Sequence, residues 1–356
     1  MWIFMALVLL ALVVLAAAAI YVVVHYVPKI LRVFEERPVF SPLRLAPEPG
    51  GEQVRFRTED GLELAGTYYK AATPVRSGVV VFCHEFLSDR WSFQPYTEGL
   101  RELGFDLFTF DFRNHGDSDA EPGHEPLQWV SDRDVRDLRA ALAYLRSRSD
   151  HDPAGVALLG ISRGGGAALC VAAEEPGVWG VVTDGAFPTR GTMLAYIVRW
   201  AEIYVRSQWF LRLRPMLIYR FVGWYARLRA ERRLDRRFPD VERAVARLSP
   251  RPWLAIHGGK DAYIGLEIAR DLFALAKEPK DLWIVPGAKH NRCRETAPEA
   301  YRDRIVAFFR TNAPRLPLAP SVPSLDAGPA KAGGRRPSPT KPTAPVLDGL
   351  AARVTG

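Results

Sequence analysis

Six short apolar runs recur along the middle of the chain: Val79–Cys83, Phe105–Phe110, Val156–Leu159, Val181–Thr183, Trp253–Ile256 and Leu282–Val285. Helical stretches separate them, the longest expected over Leu127–Arg148. Runs that are apolar on both faces suit strands buried between two helix layers, which predicts a mostly parallel sheet. Ahead of them, Gln53–Arg57 and Leu64–Tyr69 flank an Asp60-Gly61 turn and read as an antiparallel hairpin. No internal repeat interrupts this order.

Composition limits the remaining choices. In 356 residues, 48% hydrophobic and 25% charged, there is ample material for one large buried core, and wholesale disorder is excluded. Cys83, Cys170 and Cys293 form no CxxC pair and are too few for a disulfide framework, which fits a reducing compartment. The net charge of +8 is concentrated: residues 191–249 carry 13 arginines against 5 acidic residues, and residues 312–356 carry six Lys or Arg against two Asp. The rest of the chain is net acidic, so a general nucleic-acid binder is not expected.

Residues 1–27 hold no charge apart from His25 and are long enough, as a helix, to cross a hydrocarbon core. A cleaved signal peptide is the competing reading, since Ala16–Ala19 offers small residues. The missing basic n-region and the apolar residues that continue past that run favour a retained anchor. Lys29, Arg32, Arg37 and Arg44 follow the span, so the positive-inside rule places the bulk of the chain in the cytoplasm. The organisation expected is a transmembrane anchor over 1–27, a proline-punctuated juxtamembrane linker over 28–51, a folded domain over 52–311, and a disordered basic tail over 312–356.

The run Val156–Leu159 leads into Gly160-Ile161-Ser162-Arg163-Gly164, followed by an Ala-rich helical stretch. This is G-x-S-x-G in a strand–turn–helix setting, where a tight turn exposes the serine hydroxyl. A nucleophilic serine needs a base, and the base needs an orienting acid. Of seven histidines, His290 follows the last expected strand, and Asp261 follows the one before it. Asp184 ends the Val181–Thr183 strand and is the alternative acid. His84, His115 and His257 are expected to hold loops by hydrogen bonds. His290 and Cys293 supply two potential metal ligands without a second pair, and no P-loop or G-x-G-x-x-G is present, so no metal or other cofactor is expected.

With Ser162, Asp261 and His290 in that order, the sequence resembles the α/β-hydrolase superfamily over about residues 52–311. Cys83-His84-Glu85-Phe86 is similar to its His-Gly-x segment, and Asp111-Phe112-Arg113-Asn114-His115-Gly116-Asp117-Ser118 to its Asp-x-Arg-Gly-x-Gly-x-Ser loop. The resemblance implies an eight-stranded, mostly parallel sheet with helices on both faces and a helical lid inserted over 191–249. It also implies an oxyanion hole made by the backbone N–H groups of Phe86 and Arg163. Glu85 departs from the pattern where the family usually has Gly, and a carboxylate there is expected to narrow the site or repel anions. Membrane-anchored serine hydrolases of the superfamily share this layout.

The insertion contains ten aromatic residues beside its arginines, a composition suited either to a helical lid or to contact with a membrane surface. The expected function is therefore cleavage of an ester or thioester, on a small-molecule or lipid acyl substrate. An amidase or peptidase uses the same triad, and a non-catalytic lipid-binding or scaffold protein is the rival from another class.

Overall fold

The structure, a computed structural model, describes residues 1–35, 41–204, 212 and 216–314. The hairpin forms as β1 (Glu52–Arg57) and β2 (Glu63–Tyr69), paired antiparallel. Each of the six apolar runs lies in a strand: β3 (Gly78–Cys83), β4 (Phe105–Phe110), β5 (Val156–Ile161), β6 (Val178–Asp184), β7 (Trp253–Gly258) and β8 (Lys280–Val285). They build one eight-stranded sheet in the order β1-β2-β4-β3-β5-β6-β7-β8. β2 meets β4 antiparallel, and every later pairing is parallel.

The double-sided burial has a direct cause in the period-two geometry of a strand. Val79, Val81 and Cys83 of β3 enter one core cluster, while Val80 and Phe82 enter the other. The first cluster is covered by α2 (Asp132–Ser147) and α3 (Arg163–Ala172); the second by a 3₁₀ turn at Arg90–Tyr96 and a late helix over Pro298–Asn312. α2 starts later than expected. Ser131 N–H donates to Asp134 at 2.8 Å and caps the helix there, leaving Leu127, Gln128 and Trp129 in an irregular segment.

Between β6 and β7 the insertion supplies α4 (Thr189–Tyr204), α5 (Met216–Arg233) and the short α6 (Val241–Val245). A third apolar cluster joins α4 and α5 to Trp129, Phe187, Phe238 and Ile264. The N-terminal helix α1 (Trp2–Glu35) contributes to it as well. α1 is long and apolar enough to cross a membrane, a measure that a signal sequence also meets. It does not stop at residue 27 but continues through Pro28 to Glu35. Val27, Ile30, Leu31 and Phe34, spaced i, i+3, i+4, i+7, are buried on one face. Phe34 packs against Trp129 at 5.4 Å and Phe238 at 5.2 Å between ring centres, and Glu35 pairs with Arg233 at 3.2 Å.

The linker is also tied to the body. Leu43 N–H donates to Glu85 at 2.9 Å, Ser88 Oγ donates to Leu43 O at 2.6 Å, and Arg44 donates to Leu87 O at 3.1 Å. After β7 come α7 (Leu266–Leu275), β8, α8 (Cys293–Thr296) and α9 (Pro298–Asn312). Residues 36–40, Trp209 and Phe210 of the insertion, and the tail beyond residue 314 lie outside the described residues.

Candidate active site

Registers such as Ile161↔Asp184, Asp184↔Ile256 and Gly258↔Val285 bring the C-terminal ends of β5 to β8 to one edge of the sheet. Loops leaving that edge carry the candidate residues. Ser162 sits between β5 and α3 with φ 49° and ψ −114°, a backbone conformation that L-residues seldom adopt. The turn closes because two of its neighbours lack a Cβ. One built on Gly164 would stand 2.2 Å from Cys83 O, and one on Gly160 would stand 2.6 Å from Gly164 O. Ser162 N–H donates to Asp184 O at 2.7 Å, which pins the turn to β6.

Ser162 Oγ lies 2.9 Å from His290 Nε2, and His290 Nδ1 lies 2.6 Å from Asp261 Oδ2. Asp261 Oδ1 accepts backbone N–H bonds from Tyr263 at 2.9 Å and Ile264 at 2.8 Å, which fixes the carboxylate's orientation. Burial alone would raise this carboxyl's pKa. The bond and charge of His290 outweigh that and hold it below the ordinary value. With Asp261 ionised, His290 carries its proton on Nδ1 and leaves Nε2 free to accept from the serine hydroxyl. Asp184 does not take the Nδ1 bond. Its carboxyl is fully buried near Cys293 and Tyr301, and burial pushes it up to about 6.

The other histidines hold loops. His84 Nδ1–H donates to Glu85 O at 2.7 Å while its Nε2 accepts from Phe112 N–H at 3.1 Å. Burial lowers this ring to about 3, so it stays neutral. His115 Nδ1–H donates to Arg113 O, and His257 Nε2–H donates to Ile264 O. The Asp111–Ser118 loop is locked by buried ion pairs of Asp111 with Arg90 and of Arg113 with Asp137.

Phe86 and Arg163, the residues expected at the oxyanion hole, lie on two loops that meet: the Arg163 guanidinium stands 5.6 Å from the Phe86 ring centre. Arg163 is itself buried, donating to Leu127 O at 3.3 Å and to His115 Nε2 at 3.2 Å, with Asp134 at 3.4 Å. Its backbone N–H opens α3, so the helix dipole adds positive potential beside Ser162. Glu85 does not line the pocket over Ser162. One of its oxygens accepts from Leu43 N–H and the other from Asn291 Nδ2, and the side chain is buried. Burial pushes its carboxyl up to about 7 despite those donors.

A mostly apolar pocket opens over Ser162 and His290, walled by Phe86, Trp129, Phe187, Tyr196, Tyr263 and Ile264. Tyr196 comes from the insertion, and its hydroxyl donates to Tyr263 O at 3.1 Å. Trp129, Phe187 and Tyr263 were not singled out from sequence. They lie in loops without periodicity, and only folding brings them to the serine. Cys293 is buried and its thiol is pushed up by burial, which leaves no thiolate for chemistry.

Comparison with known proteins identifies the family of the fold. The chain belongs to the alpha/beta hydrolase family, which it matches over residues 80–304. It is 27% identical over 273 residues to the uncharacterized protein YfhR of Escherichia coli O157:H7, covering 74% of this chain and 82% of that one. It is 28% identical over 243 residues to the uncharacterized protein Rv2307c of Mycobacterium tuberculosis H37Rv, covering 68% and 73%. Among solved structures, an esterase from Pyrococcus furiosus superposes with a TM-score of 0.57 at 20% identity, over 78% of this chain and all of that one.

Proposed function

We propose that this alpha/beta hydrolase is a serine hydrolase, held at a membrane by α1, that cleaves a carboxylic ester or thioester of a lipophilic acyl group. The observation that carries the reading is the unbroken hydrogen-bond chain Ser162–His290–Asp261, at 2.9 and 2.6 Å. Ser162 Oγ attacks the acyl carbonyl carbon while its proton passes to His290 Nε2. Asp261 keeps the imidazole in the required tautomer and stabilises the imidazolium. The carbonyl oxygen, now anionic, is received by the N–H groups of Phe86 and Arg163, and each such donor contributes about 3 kcal/mol to lowering the barrier. Collapse expels the alcohol or thiol, which takes the proton from His290. Water then releases the acyl-enzyme by the same steps in reverse.

The aromatic pocket wall favours an apolar acyl chain. On this reading residues 191–249 act as a lid, and the basic residues after the span keep the domain on the cytoplasmic side. No cofactor takes part in the scheme.

A fluorophosphonate probe should label the wild-type chain at Ser162 and leave a folded Ser162→Ala variant unlabelled. Undiminished labelling and hydrolysis in pure Ser162→Ala protein would overturn the mechanism. A panel of esters of graded chain length then reads the acyl preference.

A further inference from the structure

Three helices carry exposed apolar residues at neighbouring ends, with the charges of Glu202 and Arg220 exposed among those of α4 and α5. On α1, Ala19, Ile20 and Tyr21 are exposed, as are the described side chains before them. On α5, Leu217 is 82% exposed, with Met216, Ile218 and Phe221 also open; on α4, Ile203 and Tyr204 are open at the C-terminal end. α1 and α5 have their C-terminal ends together, joined by Glu35 with Arg233 and Phe34 with Phe238. Leu217 precedes Arg233 by about 24 Å of helix, which sets it beside Ala19 of α1 when the two helices run side by side. α4 runs the opposite way, with Trp200 against Tyr26 of α1 at 5.9 Å between rings.

Directly below these ends lies a belt of rings and charge. Trp200 stacks on Tyr204 at 4.3 Å, and Lys29 Nζ stands 5.6 Å from the Tyr26 ring centre and 6.0 Å from that of Trp200. Tyr and Trp with snorkelling lysines mark the membrane–water interface. The arginine-rich end of α5 lies on the domain side of the belt, where Arg227 is bound to Glu231 and to Phe238 O, and Arg233 to Glu35.

We propose that the exposed ends of α4 and α5 are embedded in the bilayer beside α1, so that the pocket over Ser162 opens at headgroup level to a substrate residing in the membrane. This rests on α1 spanning the membrane. Continuity of the apolar surface with that span identifies lipid as the occupant, and apolar contact rather than lipid charge holds the ends in place. Tyr196, one turn before Trp200, lines the pocket, so one wall of the pocket lies a helical turn from the interfacial belt. An ester whose acyl chain already resides in the bilayer reaches Ser162 without crossing water.

The native cysteines are all buried, so a single introduced thiol on the full-length chain can carry an environment-sensitive fluorophore. We would place it at Leu217→Cys, at Leu10→Cys within the span, and at Asp303→Cys on α9 as a control. Each protein is reconstituted in phosphatidylcholine vesicles that contain nitroxide-bearing lipid. Quenching at positions 217 and 10 but not at 303 is the result expected. Quenching at 10 without 217 overturns the proposal and leaves the anchor standing, whereas quenching at neither overturns both. Quenching at 217 alone overturns the anchor and, with it, the proposal that rests on the span. Disulfide-linked dimers through Leu217→Cys without quenching would assign the face to a second copy, which also overturns the proposal. In parallel, Leu217→Glu with Phe221→Glu should slow hydrolysis of a vesicle-borne long-chain ester by roughly tenfold or more, the scale set by losing buried apolar chains, with a soluble short-chain ester unaffected. Equal loss on both substrates would overturn the route of entry.

Discussion

His290 Nδ1–H donates to Asp261 rather than to Asp184, and two backbone donors orient the accepting carboxylate. The N–H groups of Tyr263 and Ile264 aim the Asp261 carboxylate and the bond and charge of His290 keep it ionised, whereas Asp184 is buried near Cys293 and Tyr301 and pushed up to about 6. Asp261→Asn should therefore lower kcat/KM by roughly a thousandfold or more, because the amide no longer enforces the tautomer. Asp184→Asn should leave turnover within about tenfold of wild type; the opposite pattern in steady-state kinetics would reassign the acid. Glu85 makes a different prediction. Its folded pKa, about 7 against an ordinary 4.5, means the folded state holds this proton more tightly than the unfolded chain. Stability that is full below pH 4.5 is then lost as pH rises toward 7, by roughly 3 kcal/mol at most. Glu85→Gln removes that slope. Its unfolding midpoint should gain on wild type between pH 5 and pH 8, and parallel curves would refute the assignment. Ser162, Asp261 and His290 could be picked out together in the sequence because each follows a strand in an ordered series. The fate of Glu85 was not, since its partners Leu43 and Asn291 are 42 and 206 residues away.

The strands were readable because burial on both faces forces apolar residues at successive positions, and one period governs a whole run. Helix ends were less so. The helix expected from Leu127 begins at Asp132, because the Ser131–Asp134 cap sets its start and the preceding apolar residues serve the pocket instead. Pro28 and the charges after it suggested a boundary at residue 27, yet the helix continues. A proline within a helix forgoes one hydrogen bond, and three buried apolar residues beyond it, Ile30, Leu31 and Phe34, outweigh that loss. The i, i+3, i+4, i+7 spacing of Val27, Ile30, Leu31 and Phe34 carried the signal, hidden against the charge pattern. Phe34→Ala should cost about 3–5 kcal/mol in denaturant unfolding. It should also weaken hydrolysis of bulky acyl esters more than of acetyl esters, because Phe34 backs Trp129 in the pocket wall. A loss under 1 kcal/mol would place the end of α1 outside the core.

At the scale of the whole molecule, a parallel sheet sends its catalytic loops to one edge, and the segment between β6 and β7 is free to grow over that edge. The basic character of that segment was visible in the sequence, but its distribution was not: Arg227, Arg233 and Arg236 are engaged by Phe238 O, Glu35 and Glu125 O. The full-length protein should accordingly stay with membranes in 1 M salt, where the Debye length is about 3 Å, and be released only by detergent. Release by salt alone would make the association electrostatic, and a mature chain lacking residues 1–20 by mass spectrometry would identify a removed signal peptide. The hydrogen bonds of Leu43 and Arg44 around Phe86 carry a consequence for anyone who rebuilds this protein. On the proposed reading, α1 is not an interchangeable handle. Grafting a foreign anchor at Pro28 would discard Val23, Tyr26 and Val27, which pack in the same cluster as Trp129, and trimming to Pro49 would also remove Phe34 and the strap on both sides of Phe86. The smallest transplantable unit starts near Val23 and includes everything through Arg44, and a chimera joined inside that interval would inherit a site with one wall missing.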